Sequence, residues 1–359
     1  MKNKKKYLLL TVLLPVQILL VQLLSQYPQV VEQYYSNGIY LYISSFFRQL
    51  LGWIPFSIGD VLVIFLGIYF LYTCYNLLKN KFKNIGKKVL AFTAFLSILY
   101  GCFYMFWGLN YFREPLAKNL GFNQNQYTTN ELETTTLNII TTLNRLHIQI
   151  TKNDTLKVVV PYTQKEMYTM ALEGYQEIAK TYPQLSYKHA SIKSSLISLI
   201  QSYNGTSGYL NPLTGEAQVN AMIPKTSYPL TTCHEMAHQI GFAAENEANF
   251  IGFLAAAANN NLYFKYSAYR FAFIKCYIEI KKRNPKIAKE IWHLISPGIL
   301  SDFKANNTFW EQFKNPIEPY LKKGYNSYLK ANKQAKGIAS YDYVVDLLIA
   351  YFNTNQPNL

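Results

Sequence analysis

The sequence has few cysteines and few charged residues. Four cysteines in 359 residues are too few for a disulfide-stabilised scaffold. Charged residues make up only 15% of the chain and aromatic residues 16%, a composition that excludes a disordered or fibrous protein. The sequence also has no internal repeat and no low-complexity tract. A chain of this length accommodates two domains, or one domain and a membrane region.

Acidic residues are scarce, since 20 Asp and Glu stand against 35 Lys and Arg, for a formal charge of +15. Residues 1–112 contain ten of the basic residues but only two acids, Glu32 and Asp60. These basic residues flank apolar segments and do not form one basic face. The charge therefore bears on membrane topology, and it predicts no nucleic-acid partner.

Three apolar stretches are long enough to cross a lipid bilayer, which takes roughly 20 residues. They lie at about residues 7–24, 58–78 and 89–109. The first follows the basic start MKNKKK, as the core of a secretory signal peptide would, but no small-residue cleavage site follows it. A retained anchor is therefore favoured. The sequence predicts a membrane region over residues 1–112 and a large domain over residues 113–359.

Lysines determine the predicted orientation. The stretch KNKFKNIGKK between the second and third spans has five lysines in ten residues, and short lysine-rich loops stay in the cytoplasm. The N-terminus is then also cytoplasmic, and residues 113–359 are extracytoplasmic, in a multi-pass protein of the cell (inner or cytoplasmic) membrane. Residues 38–53 form either an interfacial helix or a surface-packed segment. Tyr111 and Arg113 are expected to be anchors at the membrane interface.

After Phe112 the pattern changes to amphipathic segments. Helical periodicity covers residues 130–150, 163–182, 230–258 and 262–282, and Thr163 and Glu166 have the spacing of a capping box. Turn residues precede an alternating run within residues 208–224, which predicts a hairpin or a lone strand. The expected fold class is mainly α, with three N-terminal transmembrane helices followed by a mostly helical domain that has a small β element.

Residues 234–238 read HEMAH and match the His-Glu-x-x-His pattern. Residues i and i+4 of a helix project from one face, so His234 and His238 can direct two imidazole nitrogens at one Zn²⁺ ion. Glu235 can then activate a zinc-bound water for attack on a carbonyl and pass its proton to the leaving nitrogen. The motif predicts a zinc metallopeptidase in which Glu235 is the general base and acid.

A catalytic zinc site needs a third protein ligand and an open fourth position. Gly241 suits a helix end with chain reversal, and two acids follow on what the pattern predicts to be a new helix. Glu245 is the preferred third ligand and Glu247 is the alternative. Asn249 lies one turn after Glu245 and is expected to support a histidine ligand.

Two further features of the sequence bear on the same site. The run at residues 216–223 is either the upper edge of the cleft, where it pairs with an extended substrate, or an ordinary hairpin packed on the core. Four tyrosines near the C-terminus include candidate oxyanion donors: Tyr325, Tyr328, Tyr341 and Tyr343.

The spacing of Glu245, Ala248 and Asn249 is similar to the Glu-x-x-Ala-Asp element of membrane-anchored gluzincin peptidases. In that element the glutamate binds zinc and the aspartate orients a ligand, and here Asn249 replaces the aspartate. The chain has Ala244 where the metzincin pattern needs its third histidine, which disfavours that family.

Over most of its length the chain resembles an uncharacterised bacterial membrane-protein family known as domain of unknown function 3810. The matching stretches are IPFSIGD (54–60), WGLNYFREPL (107–116), GYLNPLTGEAQVN (208–220), HEMAHQIGFAAENEANFIGF (234–253) and SYDYVVDLL (340–348). The resemblance implies a membrane-anchored protein with a zinc-peptidase motif, and it implies no substrate.

The function these features favour is a membrane-anchored, zincin-like metallopeptidase with Zn²⁺ as its cofactor. Its partners are the lipid bilayer and a peptide or protein substrate in the cell envelope. The alternative is a non-catalytic zinc-binding membrane protein that acts as an envelope scaffold or a partner-binding module. The presence of Glu235 argues against that alternative, because a structural zinc site needs no general base.

Overall fold

A computed structural model describes residues 2–122, 127–334, 337 and 343–354 of the chain. The predicted fold class is confirmed, because the described chain is mainly α-helical with three short strands and three apolar helices near the N-terminus. The N-terminal part contains, in order, α1 (Lys2–Leu24), α2 (Pro28–Val30), a π-helical segment (Val31–Ile39), α3 (Tyr40–Gly52), α4 (Ile58–Lys79), α5 (Ile85–Phe106) and a 3₁₀ turn (Gly108–Phe112).

The helices α1, α4 and α5 are each long and apolar enough to cross a membrane. The third of them spans residues 85–106, whereas the sequence predicted residues 89–109. It starts earlier because Asn84 takes a left-handed conformation (φ 59°) directly before it. It ends earlier because Trp107 leaves the helical conformation (φ −158°) and the chain continues as a 3₁₀ turn.

Helices α1 and α5 pack along each other. The hydroxyls of Thr11 and Thr93 are 2.9 Å apart, and Ser97 donates a hydrogen bond to Gln17 at 3.3 Å. Helix α4 has no such partner in the described parts of the chain, and its side chains beyond Asp60 are not buried. Of the three apolar helices, α1 and α5 therefore form a packed pair, and α4 stands apart from them.

The N-terminus of α4 is attached to the domain that follows the membrane helices. The Glu216 carboxylate accepts hydrogen bonds from the backbone N–H groups of Ile58 (3.2 Å) and Gly59 (2.6 Å). Asp60 accepts hydrogen bonds from the Tyr209 hydroxyl and from the Leu196 N–H at 2.7 Å. A carboxylate at a helix N-terminus also interacts favourably with the helix dipole, so Glu216 fixes the start of α4.

Helix α3 has two different faces. Tyr40, Ser44 and Arg48, at helical spacing, are buried against the domain. Tyr42 and Phe46 are 80% and 60% exposed on the other side. The segment at residues 38–53 is therefore packed on the domain through one face, while its aromatic face is free to meet lipid.

The rest of the chain forms a helical domain around a small sheet. Its elements are α6 (Leu116–Asn119), α7 (Thr129–Thr151), α8 (Gln164–Thr181), a 3₁₀ turn (Pro183–Leu185), β1 (Ile192–Ser194), α9 (Ser198–Tyr203), β2 (Gly208–Leu210), β3 (Ala217–Val219), α10 (Tyr228–Gln239), α11 (Glu245–Ala258), α12 (Leu262–Arg283), α13 (Pro285–His293), α14 (Pro297–Glu311), α15 (Glu318–Ala331) and α16 (Val344–Thr354). The predicted capping box at Thr163 and Glu166 begins α8.

The sheet has the strand order β1-β3-β2, with β1 parallel and β2 antiparallel to β3. The hairpin prediction for residues 208–224 is confirmed by the β2–β3 pair, whose turn includes Gly215 in a left-handed conformation (φ 63°). Strand β3 is central and fully buried, so of the two alternatives for residues 216–223 the structure has the hairpin packed on the core and not the edge of the cleft. Strand β2 lies at the edge of the cleft instead, since it pairs with β3 on one side only within the described sheet.

Helix α10 is the centre of the domain. All of its residues except His234 are buried, between the sheet on one side and α11, α12 and α8 on the other. The Tyr175 hydroxyl donates to the Cys233 carbonyl at 2.6 Å, and Ser267 accepts from the Leu230 N–H at 3.2 Å. The HEMAH residues therefore lie on a rigidly held helix.

Candidate metal centre

Helix α10 presents His234 and His238 on one face, one turn apart. Their ring centroids are 4.7 Å apart and their planes are nearly perpendicular, at 85°. One ligand atom from each histidine and one from Glu235 lie within 4.8 Å of one another. The i, i+4 spacing of the sequence thus becomes a pair of imidazoles that converge on one point.

A tight reversal after His238 returns the chain to this point. The Gly241 N–H bonds to the His238 carbonyl at 3.0 Å and the Phe242 N–H to the Ala237 carbonyl at 3.2 Å. Gly241 has φ 92°, a conformation that favours glycine. Helix α11 then begins at Glu245 and packs against α10, as the sequence predicted.

Glu245 completes a three-sided cluster. Its Oε2 atom is 3.3 Å from His234 Nε2 and 3.6 Å from His238 Nε2. Ligand atoms about 2.0–2.1 Å from a tetrahedral zinc ion lie roughly 3.3–3.4 Å from each other. The Glu245 carboxylate thus lies from each imidazole at about the separation expected for two ligands of one tetrahedral zinc ion, and the cluster faces a cavity.

The charge of this cluster is set by the close approach of the three groups. Burial raises the pKa of Glu245, but hydrogen bonds and charge from His234 and His238 outweigh it and hold that pKa well below the usual range. Burial lowers the pKa of His238, and Glu245 reverses the effect and raises it to about 9. Glu245 is therefore ionised, as a zinc ligand must be.

Glu235 lies beside the cluster and is only 2% exposed. Its Oε2 atom has no hydrogen-bond partner among the described residues. Burial raises the pKa of its carboxyl to about 7, although the two neighbouring histidines act in the opposite direction. Gly208 of β2 makes room for it, since a Cβ there would be 2.5 Å from Glu235 Oε1. This side chain is therefore a buried carboxyl with one oxygen that no described residue satisfies.

Glu247, the alternative to Glu245 as third ligand, bonds away from the histidines, and Asn249 forms no described hydrogen bond with them. The Glu247 carboxylate accepts a hydrogen bond from the Leu116 N–H at 2.7 Å, on the opposite side of α11 from the histidines. Burial raises its pKa to about 7. Within the described chain, no hydrogen bond joins Asn249 to His234 or His238. The second nitrogen of His238 instead bonds to the Phe242 carbonyl at 2.7 Å, which directs Nε2 toward Glu245.

The C-terminal turn of α10 is held by residues that the sequence analysis did not connect with it. Trp107 donates from its indole to the His238 carbonyl at 3.2 Å. Tyr40 and Ser44 donate to the Gln239 carbonyl at 3.0 and 2.7 Å. The sequence shows WGLNYFREPL as a stretch that matches the family. It does not show that Trp107 contacts His238, because the two residues are far apart in the chain.

Arg113 is buried and is no membrane anchor, so that prediction is wrong. It forms a bidentate pair with Glu32, with N–O distances of 2.7 and 2.9 Å. It also donates to the Gly241 carbonyl at 2.9 Å and lies 4.0 Å over the Phe242 ring. Arg113 therefore stabilises the reversal that leads to Glu245.

Tyrosines of α15 lie at the open side of the cluster. The Tyr325 hydroxyl donates to Glu245 Oε1 at 2.7 Å, and Tyr328 stacks on Tyr325 with ring centroids 6.0 Å apart. These two of the four candidate oxyanion donors reach the site. Tyr343 begins the C-terminal described segment, and Tyr341 lies outside the described residues.

A cavity of about 1300 Å³ leads away from the cluster. His234, Glu235, His238 and Glu245 all lie on its wall, as does the buried Arg270. The volume accommodates several amino-acid residues of an extended chain. The arrangement can bring a metal ion, a substrate carbonyl and the Glu235 carboxyl together in one cleft.

Gly252 determines how closely α11 packs on the histidine helix. A Cβ at Gly252 would lie 3.0 Å from the His234 backbone nitrogen, whereas a Cβ at Gly324 of α15 would meet nothing within 4 Å. Both Gly→Ala changes gain the same helix propensity. We therefore expect Gly252→Ala to be less stable than Gly324→Ala by about 1–3 kcal/mol, the usual penalty of overpacking. Thermal unfolding of the full chain in detergent measures this, and equal melting temperatures would contradict it.

Comparison with known proteins agrees with the family resemblance. The family described as protein of unknown function (DUF3810) matches residues 35–349. No curated protein and no solved structure matches the chain. The matched region includes α4, α5, the sheet, the histidine helix and α11. The chain belongs to the DUF3810 family of proteins of unknown function.

Proposed function

We propose that this protein is a membrane-anchored zinc metallopeptidase. The observation that carries the proposal is the position of the Glu245 carboxylate, 3.3 and 3.6 Å from the two histidine nitrogens, beside the buried Glu235. His234, His238 and Glu245 would hold the ion. Zinc bound there would polarise a peptide carbonyl and lower the pKa of water to about 7.

Glu235 would carry the proton in this reaction. Its carboxylate takes a proton from the water that attacks the scissile carbonyl, and it then gives that proton to the leaving nitrogen as the C–N bond breaks. The partnerless Oε2 atom supports this role, because no described side chain competes for it. The Tyr325 hydroxyl is close enough to the cluster to donate to a developing oxyanion.

Strand β2 supports a peptide as the substrate. It pairs with β3 on one side only within the described sheet, and its residues Gly208, Tyr209 and Leu210 line the cavity beside Glu235. An extended peptide can add to such an edge through backbone hydrogen bonds. The peptide bond would then lie next to the proposed zinc ion.

A non-catalytic zinc-binding scaffold or partner-binding module is the second candidate. Such a protein would use the same three ligands, but it would have no use for a buried Glu235 whose Oε2 atom has no hydrogen-bond partner among the described residues. Burying a carboxyl without a hydrogen bond is unfavourable, so its presence favours catalysis.

Zinc binding can be tested with two matched variants. We expect the purified full chain to bind about one zinc ion. Glu245→Gln should weaken zinc binding at least ~100-fold, because it removes a charged ligand, whereas Glu247→Gln should leave it unchanged. Competition with a chelator in detergent micelles measures both affinities. Equal affinities for the two variants would contradict Glu245 as the third ligand.

Hydrolysis can be tested separately from metal binding. We expect Glu235→Gln to retain zinc and to lower the rate of peptide hydrolysis by about 10²–10⁴-fold, since it removes the proton carrier. Glu247→Gln is again the control. A peptide pool followed by mass spectrometry supplies the rate. Zinc binding without any hydrolysis that depends on Glu235 would favour the scaffold.

We further propose that the zinc site is extracytoplasmic and that the lysine-rich residues 79–88 are cytoplasmic. In intact cells, a membrane-impermeant thiol reagent should label Lys286→Cys but not Lys83→Cys, with the unsubstituted chain as the background. Both positions are exposed. The reverse labelling pattern would invert the orientation.

A further inference from the structure

The cavity of the candidate metal centre reaches the membrane helices. Besides His234 and Glu235, its wall includes Val63 of α4 and Phe103 of α5. Val63 is the sixth residue of α4, about 8 Å along the helix from its start, and Phe103 lies within the last turn of α5. One continuous space therefore joins the proposed catalytic residues to apolar side chains at the level of the bilayer.

The histidines themselves lie close to this level. Trp107 is the first residue after α5, and its indole donates to the His238 carbonyl at 3.2 Å. On the other side, the Glu216 and Asp60 contacts attach the sheet to the first turn of α4. The candidate site is thus fixed at the ends of two membrane helices and cannot lie far above the lipid.

Those two helices do not pack closely along each other within the described parts of the chain. Helix α5 packs along α1, but α4 packs along neither of them in the described parts of the chain. Val63 and Phe103 belong to opposite sides of this gap and line the same cavity. A transmembrane segment that diffuses in the bilayer can therefore approach the cavity from the side, between α4 and the α1–α5 pair.

The surface beside the gap is also suited to lipid. Leu196, Leu199 and Ile200, in and next to α9, are 52%, 53% and 57% exposed. The Leu196 N–H donates to Asp60, which places this apolar group at the start of α4. Ile200 also lines the cavity. The rim of the cavity on the membrane side is therefore apolar, as expected of a surface that contacts lipid.

We infer that the substrate is an integral membrane protein, cleaved in the segment directly outside its transmembrane helix. This inference rests on the proposed peptidase function and adds the substrate class. A peptide tethered in the same bilayer has a high effective concentration at the cavity, and its linker need span only a few residues. A free soluble peptide has neither advantage.

The test uses the full chain in proteoliposomes and two forms of one probe. The first is a pool of randomised ten-residue peptides joined directly to a Leu/Ala model transmembrane helix, in both orientations. The second is the same pool without the helix. We expect cleavage of the anchored pool to be at least ~10-fold faster. A flexible spacer of about 15 residues between helix and peptide, which spans about 20 Å, should reduce this advantage, because the effective concentration falls as the tether lengthens.

Two variants of α4 test whether the substrate enters between α4 and the α1–α5 pair. Val63→Trp places a bulky side chain in the gap, whereas Val61→Trp makes the same change at an exposed position of α4 that does not line the cavity. We expect Val63→Trp to slow cleavage of the anchored pool at least ~10-fold and Val61→Trp to leave it unchanged. Equal rates for the two variants would overturn the path.

Binding is measured separately, so that failure of the inference and failure of the peptidase proposal are distinguishable. A photo-crosslinking residue at position 63 in the Glu235→Gln chain should capture the anchored pool, and one at position 61 should not. If neither pool is cleaved, the peptidase proposal fails, and the crosslinking result then decides by itself whether a transmembrane segment enters between α4 and the α1–α5 pair.

Equal cleavage of both pools overturns the inference. A third pool, in which two acyl chains replace the transmembrane helix, is the last control. Cleavage of this acylated pool without cleavage of the helix-anchored pool also overturns the inference.

Discussion

The buried end of the histidine helix is the constraint on which the rest of this structure depends. The last carbonyl groups of any helix lack partners within the helix, and here they lie where water cannot supply them. Trp107, Tyr40 and Ser44 satisfy the carbonyls of His238 and Gln239. Leaving such groups unpaired would destabilise the fold by about 1–3 kcal/mol each. The helix that carries HEMAH is therefore tied to segments next to the membrane.

This arrangement explains why distant parts of the chain act together. The segment after α5 holds the end of α10, and through Arg113 it also holds the reversal that leads to Glu245. The sheet holds the start of α4 through Glu216 and supplies Gly208 beside Glu235. The contacts that attach the domain to the membrane helices are thus also the contacts that shape the site. A soluble fragment without residues 28–112 would lose the donors at the end of α10.

Much of this was predictable from the sequence, because it depends on local patterns. The three apolar helices, the capping box at Thr163, the hairpin and the separate helix that begins at Glu245 follow from hydropathy, turn residues and spacing. Arg113 is not the interface anchor that was expected, and Asn249 forms no described hydrogen bond with a histidine, because each outcome depends on which group pairs with the side chain in the folded chain. His238 bonds to the nearby Phe242 carbonyl, and the distant Glu32 takes Arg113 away from the interface. The spacing of residues along the chain does not show which of these pairs forms.

Two carboxyl groups in one buried pocket are costly for the fold and are more simply explained by the proposed function. Glu235 and Glu245 are both buried, and burial together with the charge of Glu245 raises the pKa of the Glu235 carboxyl. Apolar residues at these positions would pack with less penalty, since buried charges are stable only when paired. Glu245 has its histidines, but Glu235 has an oxygen that no described residue satisfies. A divalent cation held by His234, His238 and Glu245 would balance both carboxylates, which is the simplest physical reason for placing them together.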